Sequence, residues 1–262
     1  MPVDYEVRDN GVAVVTYNSP QKMNALTPQD TVRVTELLHD IRVNPKVRVA
    51  IITGVGERAM TAGVDLRYVN TPEFRKALEE HFEYPGGLRL NMTPYTRGID
   101  IWKPLIAAIN GHAIAMGACV VLGCDIRIAS TNATFSLNEV VFGGLAAGGA
   151  MARLPRQVPY AYAMDLLLTG RPTDAQEMLK FGLVTEVLPP DRLMPRALEI
   201  ADKLAGLDKD AVQITKQAAV RGLDIGLHQA LVEEALYMEM LNSRHGKPQD
   251  DMLRAHSAGY RK

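Results

Sequence analysis

Hydrophobic positions along the chain alternate between short runs typical of β-strands and longer stretches with helical spacing. Thr27 is a typical helix N-cap, Pro28 suits the first helical position, and Asp30 is an acidic residue in the first turn. Apolar residues then recur at helical spacing. Strands and helices that alternate without sequence repeats indicate an α/β layered domain. The predicted strands, rich in Val and Ile and bounded by Gly, Asn, Asp or Pro, are Val12–Tyr17, Val47–Thr53, Leu105–Ile109, Ile126–Ala129 and Val184–Val187.

From about Leu193 the pattern becomes helical only. Surplus apolar positions on these helices favour either a cover over the core or assembly with other subunits. We therefore expect a catalytic core over residues 1–192 and a C-terminal helical region over 193–262. The predicted helices, rich in Ala, Leu, Glu, Lys and Met and separated by glycines, are Pro195–Ala205, Ala211–Arg221 and Leu227–Leu241.

Composition and charge exclude several classes of partner. The 262 residues carry a formal net charge of −1, which gives no global reason to expect nucleic acid or an anionic membrane. No apolar run approaches the roughly 20 residues that span a bilayer, and the N-terminus lacks a signal-peptide pattern. We expect a cytoplasmic protein. Its only cysteines, Cys119 and Cys124, lie in an apolar stretch, which predicts two buried thiols rather than a disulfide or a metal site.

Two glycine-containing turns are candidates for binding chemistry. Met60–Leu66 follows the strand that ends at Thr53, and Asn110–Ala118 follows the strand Leu105–Ile109 and opens a helix running towards Cys124. A turn at a helix N-terminus presents free N–H groups and the positive end of the helix dipole. If two such turns face each other, they offer two donors to one oxygen, which is an oxyanion hole. The spacing alone favours the plainer interpretation that both are tight strand-to-helix turns.

Glu139 is the best acid/base candidate. Apolar residues follow it at 140–142, and desolvation by them could raise its pKa towards neutrality, as a proton shuttle requires. A charge at a strand end that faces water is an equally good interpretation. His112, next to a helix start, is more often a packed or capping residue than a catalyst.

The remaining motifs give weaker signals. Ser130 and Ser136 lack the context of a nucleophile elbow, and the sequence has no phosphate-loop lysine motif, no GxGxxG fingerprint and no cluster with metal-ligand spacing. Thr71–Arg97 mixes aromatic residues with backbone breakers. It is interpreted as a mobile wall over a pocket, with a surface loop as the alternative.

Four stretches of the chain carry a pattern by their order and spacing: Ser19–Leu26, Thr61–Leu66, Asn110–Asp125, and Phe135–Gly149 followed by Arg153-Leu154-Pro155. Together they resemble the enoyl-CoA hydratase/isomerase (crotonase) superfamily across almost the whole chain. The resemblance implies a crotonase-like spiral of β-β-α turns with a C-terminal helical region that forms homotrimers, often stacked as homohexamers. It implies an acyl-CoA thioester as substrate, with coenzyme A entering as part of that substrate and no metal or redox cofactor.

The same resemblance implies roles for individual residues. The thioester oxygen would bind between the backbone N–H groups of Val64 and Met116, and Glu139 would be the general acid/base. Near the nucleotide of coenzyme A, the residues that match binding positions of the family are Lys22, Ala25, Leu26 and, at the adenine-facing turn, Ala62.

One departure bears on the reaction. Hydratases of the family carry two glutamates, and Cys119 stands where the first would be; a thiol cannot replace a carboxylate at neutral pH unless its pKa is perturbed. A site with a single glutamate resembles that of enoyl-CoA isomerases. It also resembles the site of aromatic hydroxyacyl-CoA hydratase-lyases, and in these lyases a tyrosine from the C-terminal region assists. Tyr237 lies in that region, although an exposed helical tyrosine is the plainer interpretation. We predict an enoyl-CoA hydratase (a lyase) or isomerase. The alternative of another class is a non-catalytic acyl-CoA-binding protein with this fold.

Overall fold

The computed structural model describes residues 2–69, 71–73, 76 and 100–245. The segment Thr71–Arg97, interpreted above as a wall over a pocket, therefore lies almost entirely outside the described residues. Within them the strands form two sheets, and the α/β class expected from the sequence is confirmed.

The larger sheet contains six of the described strands. It is parallel except for the antiparallel pair at its edge, β1 with β2. In spatial order the strands are β1 (Val3–Val7), β2 (Val12–Tyr17), β3 (Val49–Gly54), β5 (Leu105–Ile109), β7 (Ile126–Ser130) and β10 (Glu186–Leu188).

The smaller sheet consists, in the described part of the chain, of four short strands. Three of them pair in parallel and the last pairs antiparallel. Because β3, β5 and β7 are each followed by a strand of this sheet, the chain repeats a strand–strand unit, with helices after it. In spatial order the strands are β4 (Ala59–Thr61), β6 (His112–Ile114), β8 (Thr134–Ser136) and β9 (Thr173–Asp174).

Six of the described α-helices lie before residue 207. The first, α1, begins as the sequence predicts: Thr27 and Asp30 form a reciprocal capping box and Pro28 is the first helical residue. No helix within the described ranges is long and apolar enough to cross a membrane. The helices are α1 (Pro28–Val43), α2 (Met116–Gly123), α3 (Ala150–Gln157), α4 (Tyr160–Thr169), α5 (Ala175–Lys180) and α6 (Pro190–Gly206).

Both faces of the larger sheet are covered. On one face, buried residues of α6, including Leu193, Ala197 and Ala201, pack against Ile51 and Ile106 of the sheet. The other face belongs to a larger cluster to which α1 contributes. Burial on both faces explains why β2, β3 and β5 read as continuous apolar runs rather than alternating ones.

The contact pattern divides the chain after Gly206 into residues 1–206 and 207–262. This division comes later than the expected boundary at 192/193, because α6 packs on the larger sheet. Within the second unit, α7 (Lys209–Gly222) and α8 (Leu227–His245) confirm the two helices predicted there. They are joined by an ion pair between Arg244 and Asp210 and by a hydrogen bond from Arg221 to the hydroxyl of Tyr237. A role in trimer formation stays a prediction.

Candidate active site

The loop between β2 and α1 is fixed by the side chain of Asn24. Its Oδ1 accepts a hydrogen bond from the Ser19 N–H at 2.8 Å, and its Nδ2 donates to the carbonyl oxygens of Ala59 at 2.7 Å and Val55 at 3.1 Å. Met23 and Asn24 have positive φ angles of 55° and 54°. Asn is among the few residues that adopt this conformation readily, so a sequence reading could have singled out Asn24, and ours did not.

The same loop sets the orientation of Val64. The Leu26 N–H donates to the Gly63 carbonyl at 2.8 Å, and the Leu26 carbonyl accepts from the Asp65 N–H at 2.9 Å. In this parallel bridge both groups of Leu26 bond to the neighbours of Val64, so the N–H of Val64 itself points the other way. Among the described residues it has no hydrogen-bond partner.

Met116 is the first residue of α2 and also carries a free donor. The preceding residue, Ala115, has φ 51° and ψ −114°, a conformation that L-residues rarely adopt, and its N–H donates to the Ser136 carbonyl at 2.8 Å. The Met116 N–H lies at the helix N-terminus, where no intrahelical acceptor exists, and it has no partner in the described part of the chain. Contrary to expectation, the short strand β6 separates β5 from this helix, so the turn at α2 is a strand–strand–helix corner.

The two turns meet at Gly63. A Cβ placed on Gly63, whose φ is +81°, would lie 2.9 Å from the Ile114 carbonyl oxygen and 3.0 Å from the Met116 nitrogen. Only glycine permits both this φ angle and this approach. The structure therefore brings together the segments that carry the two predicted N–H donors.

Glu139 lies in a short 3-10 helix, Asn138–Phe142, and desolvation by burial raises the pKa of its carboxyl, with a partial offset from its own N–H group. Its Oε2 is buried and has no hydrogen-bond partner among the described residues. The expected source of the burial was wrong: Val140, Val141 and Phe142 are exposed, Phe142 by 72%. On another side of the carboxyl lies Cys119, which is close enough for the charge of Glu139 to act on its thiol.

Cys119 is fully buried on α2 and is a free thiol, as is Cys124, which confirms the prediction for both. Burial, and to a lesser extent the neighbouring Glu139 carboxylate, raise the pKa of the Cys119 thiol to about 12. The N–H groups of Gly148 and Ala150 and the guanidinium of Arg153 act in the opposite direction. A thiol with this pKa stays protonated at neutral pH and does not supply a second base.

The residues predicted to bind coenzyme A lie along the Asn24 loop and the neighbouring turn. Lys22 is exposed, while Ala25 and Ala62 are half-buried. Asp65 has a lowered pKa, chiefly because Arg67 hydrogen-bonds to it and to a lesser extent because Lys22 is near. The Leu26 side chain is buried. The contribution of Leu26 to this surface is therefore its backbone, which hydrogen-bonds to Gly63 and Asp65.

The other candidates have structural roles in the described residues. His112 Nδ1 lies 2.6 Å from Thr134 Oγ1 across β6 and β8, which agrees with a packed residue. Ser136 donates a hydrogen bond to the Gly170 carbonyl. In the described ranges no group of three or more His, Cys, Asp or Glu side chains is arranged to hold a metal ion.

The fold as a whole matches that of solved structures. An enoyl-CoA hydratase from Bacillus anthracis matches this chain with a TM-score of 0.83 at 30% identity, covering 99% of this chain and 96% of that one. The model of the family described as Enoyl-CoA hydratase/isomerase matches residues 7–250. The chain belongs to this family, as the motifs predicted.

Curated relatives carry hydratase names. The chain is 40% identical over 241 residues to the (E)-benzylidenesuccinyl-CoA hydratase of Thauera aromatica, covering 92% of this chain and 91% of the relative. It is 36% identical over 231 residues to the short-chain-enoyl-CoA hydratase of Clostridium acetobutylicum, covering 87% and 85%. The prediction of an enzyme of the enoyl-CoA hydratase or isomerase class is confirmed.

Proposed function

We propose that the protein converts an acyl-CoA thioester through an enolate, with Glu139 as the general acid/base. The observation that carries this proposal is the state of Glu139: its carboxyl has a raised pKa, and the buried Oε2 has no partner among the described residues. A carboxyl in this condition exchanges protons near neutral pH more readily than a solvated one. A purely structural glutamate would be expected to have its buried oxygen satisfied.

The proposed oxyanion hole consists of the N–H groups of Val64 and Met116. The contact between Gly63 and Met116 supports it, and so does the lack of another partner for either donor among the described residues. When a base removes a proton next to the thioester, charge develops on the thioester oxygen. Two fixed donors stabilise that charge, and removing one such donor typically slows an enzyme about 100- to 1,000-fold.

Each candidate reaction uses these groups in a similar way. Glu139 takes a proton from carbon in isomerisation, from water in hydration, or from the substrate hydroxyl in cleavage, where the aldehyde leaves as the carbon–carbon bond breaks. The thioester oxygen carries the negative charge of the enolate between Val64 and Met116, and Glu139 returns the proton to carbon. Proton transfers are sufficient for this chemistry, so the proposal invokes no cofactor beyond the coenzyme A portion of the substrate. Exposed Lys22 would contact the phosphates of that portion, next to Ala25, Leu26 and Ala62.

Hydration of an enoyl-CoA is the first candidate because the named relatives are hydratases. The name of the Thauera relative makes an aryl-substituted enoyl-CoA worth testing beside simple chains. Isomerisation, or cleavage of an aromatic hydroxyacyl-CoA, is the second candidate, and the protonated thiol of Cys119 favours it because no carboxylate stands at that position. A non-catalytic acyl-CoA-binding protein is the third, and the state of Glu139 argues against it.

The proposal includes assembly as a homotrimer or homohexamer. It is supported by apolar side chains that are exposed on α8 of the single chain, which an interface would cover; they are Leu227, Leu231, Val232, Leu236 and Met238. The mass in solution, measured by light scattering, tests this. The cytoplasmic location stays a prediction.

The decisive experiment is mass spectrometry of acyl- and enoyl-CoA esters incubated with the protein in heavy water. The panel should include crotonyl-CoA, an aryl-substituted enoyl-CoA and their saturated analogues. Deuterium next to the thioester with wild type, and not with Glu139→Gln, is the expected result. Added water, a moved double bond or a released aldehyde then names the reaction. Binding of panel members without exchange by wild type would overturn the proposal in favour of a binding protein.

A further inference from the structure

The chain between Glu139 and α3 closes over two residues of α2. A Cβ placed on Gly148 would lie 2.7 Å from the Cβ of Cys119, 2.8 Å from the Sδ of Met116 and 2.9 Å from the Sγ of Cys119. Gly148 is buried, and Cys119 has no exposed surface. The backbone at Gly148 therefore packs directly against the side chains of the predicted oxyanion-hole residue and of the buried thiol.

The sulfur of Cys119 lies at the N-terminus of α3. This helix begins at Ala150, and its N-cap residue, Gly149, supplies no side-chain cap. The N–H groups of Gly148 and Ala150 act on the Cys119 sulfur and favour its thiolate, although burial and Glu139 keep the thiol protonated. The Cys119 side chain of the neighbouring helix thus packs against the start of α3, where N–H groups lack intrahelical acceptors.

The other end of the same turn is attached to Glu139. The Gly144 N–H donates to the Glu139 carbonyl oxygen at 2.8 Å. The turn over residues 144–150 is thus held at one end by the backbone of Glu139 and at the other by the side chain of Cys119. Since Met116 also packs against Gly148, the turn connects the proposed base with the proposed oxyanion hole.

We propose that Cys119 is a positioning residue, which seats the turn over residues 144–150 against Met116 and presents a neutral side chain to Glu139. The inference rests on the proposed function. It assigns a role to a buried side chain that does not touch the substrate.

Cys124 offers a matched control for removing the thiol. It is the other buried cysteine, it follows α2 directly, and its Sγ donates a hydrogen bond to the Val120 carbonyl rather than approaching Gly148. Both Cys119→Ala and Cys124→Ala leave a small cavity and should lower Tm to a similar extent. Only Cys119→Ala should lower kcat, by about tenfold or more, because the turn over residues 144–150 would no longer be held against Met116. KM should stay within about twofold, since Cys119 does not contact the substrate.

A second variant, Cys119→Asp, tests the neutral side chain. The same burial opposes ionisation of the new carboxyl, but a carboxyl has a far lower ordinary pKa than a thiol, and the N–H groups of Gly148 and Ala150 and the guanidinium of Arg153 favour its charged form. We therefore expect it to ionise within the working pH range, with its charge facing Glu139. Like charges raise the pKa of a carboxyl. The acid limb of the pH–rate profile should move up by about one unit or more, whereas Cys124→Ala should leave that limb in place.

The same shift can be measured without turnover, from the carbon-13 chemical shift of the Glu139 carboxyl, assigned by its loss in Glu139→Gln. If Cys119→Ala does not fold, Cys119→Ser, which nearly keeps the volume of the side chain, takes its place and is compared with Cys124→Ser. Equal kcat in Cys119→Ala and Cys124→Ala, or an unmoved Glu139 titration in Cys119→Asp, would overturn the inference. If the wild type catalyses no exchange on the panel while the Glu139 titration moves as expected, the proposed function fails and the electrostatic role of Cys119 stands.

Discussion

Gly63 and Met116 lie in contact across two turns that are far apart in the sequence. A single added methyl group on Gly63 would reach to 3.0 Å from the Met116 nitrogen and to 2.9 Å from the Ile114 carbonyl oxygen. A Cβ atom is essentially never found 2.9 Å from another heavy atom, and a distance of 3.0 Å is unusually short, so a larger residue must push the turns apart. In the proposed oxyanion hole, this close approach is what would allow the N–H groups of Val64 and Met116 to act on one atom.

We therefore expect Gly63→Ala to lower kcat/KM by about 100-fold or more, since displacing an oxyanion donor has effects of this size. The measurement is steady-state kinetics on whichever panel ester reacts, with Tm recorded beside it. Both kcat and kcat/KM should fall, because the interaction strengthens in the transition state.

Gly182→Ala is the matched control for this variant. Gly182 also has a positive φ, +74°, but a Cβ there would have no neighbour within 4 Å. Both variants carry the backbone strain of a non-glycine residue at positive φ, of about 1–3 kcal/mol, and only Gly63→Ala disturbs the two turns. Equal losses of activity in both would show that strain, and not the approach to Met116, is responsible.

The sequence predicts the parts of this fold that have strong local signals. The N-cap at Thr27 and the strand β5 appear where expected because capping chemistry and a buried apolar run are local properties. The strands β4, β6 and β8 were missed because three residues are too few to show a two-residue period. Motif order located the two turns, but their contact at Gly63 depends on tertiary packing that spacing does not encode.

The candidate site shows the same difference between what local sequence signals reveal and what depends on tertiary packing. Glu139 was identified correctly as a carboxyl with a raised pKa, but for the wrong reason, because the apolar residues next to it in sequence are exposed. Cys119, which lies on another helix, and the turn at Gly148 form the surroundings that matter. Such neighbours are distant along the chain, so no local pattern around Glu139 could reveal them.

The raised pKa of Glu139 predicts how stability depends on pH. The folded protein binds this proton more tightly than the unfolded chain does, so stability is lost as pH rises from the ordinary value of 4.5 through the higher value of the folded state. Glu139→Gln removes this loss because an amide does not ionise. We expect the Tm of Glu139→Gln relative to wild type to rise between pH 4 and pH 8, as measured by calorimetry.

Glu233→Gln is the control, since Glu233 lies on α8 and its hydrogen bond to Gln229 is exposed. The difference in Tm between this variant and wild type should change little over the same pH range. If the Tm of Glu139→Gln relative to wild type instead falls as pH rises, then the folded state favours the Glu139 carboxylate, and a raised pKa is wrong.

Lys22 gives a prediction for the coenzyme A end of the substrate. Its exposed ammonium would meet phosphate in a wet, screened environment. Lys22→Ala should therefore raise KM for an acyl-CoA by only about 3- to 10-fold, with kcat unchanged. The increase should shrink at high salt and vanish with the corresponding acyl-pantetheine, which has no nucleotide. Lys46 is an exposed lysine beyond the other end of α1, and Lys46→Ala should not change KM. An equal rise in KM with Lys46→Ala would show that the net charge of the protein, and not Lys22 itself, causes the effect.

The two cysteines test the packing of the site without any substrate. Cys119 and Cys124 are 0% and 2% exposed, and the Cys119 thiol has a pKa of about 12, so very little thiolate exists at pH 8. A thiol reagent should label neither residue in the folded protein over minutes and both in guanidinium chloride, as counted by mass spectrometry.

Labelling under native conditions then requires local opening, and its rate reports that opening. A bound acyl-CoA should slow labelling at Cys119 more than at Cys124, because the ligand stabilises the closed turn around Gly148. Rapid labelling of Cys119 in the folded protein would show that the turn opens freely and does not hold Met116 in place.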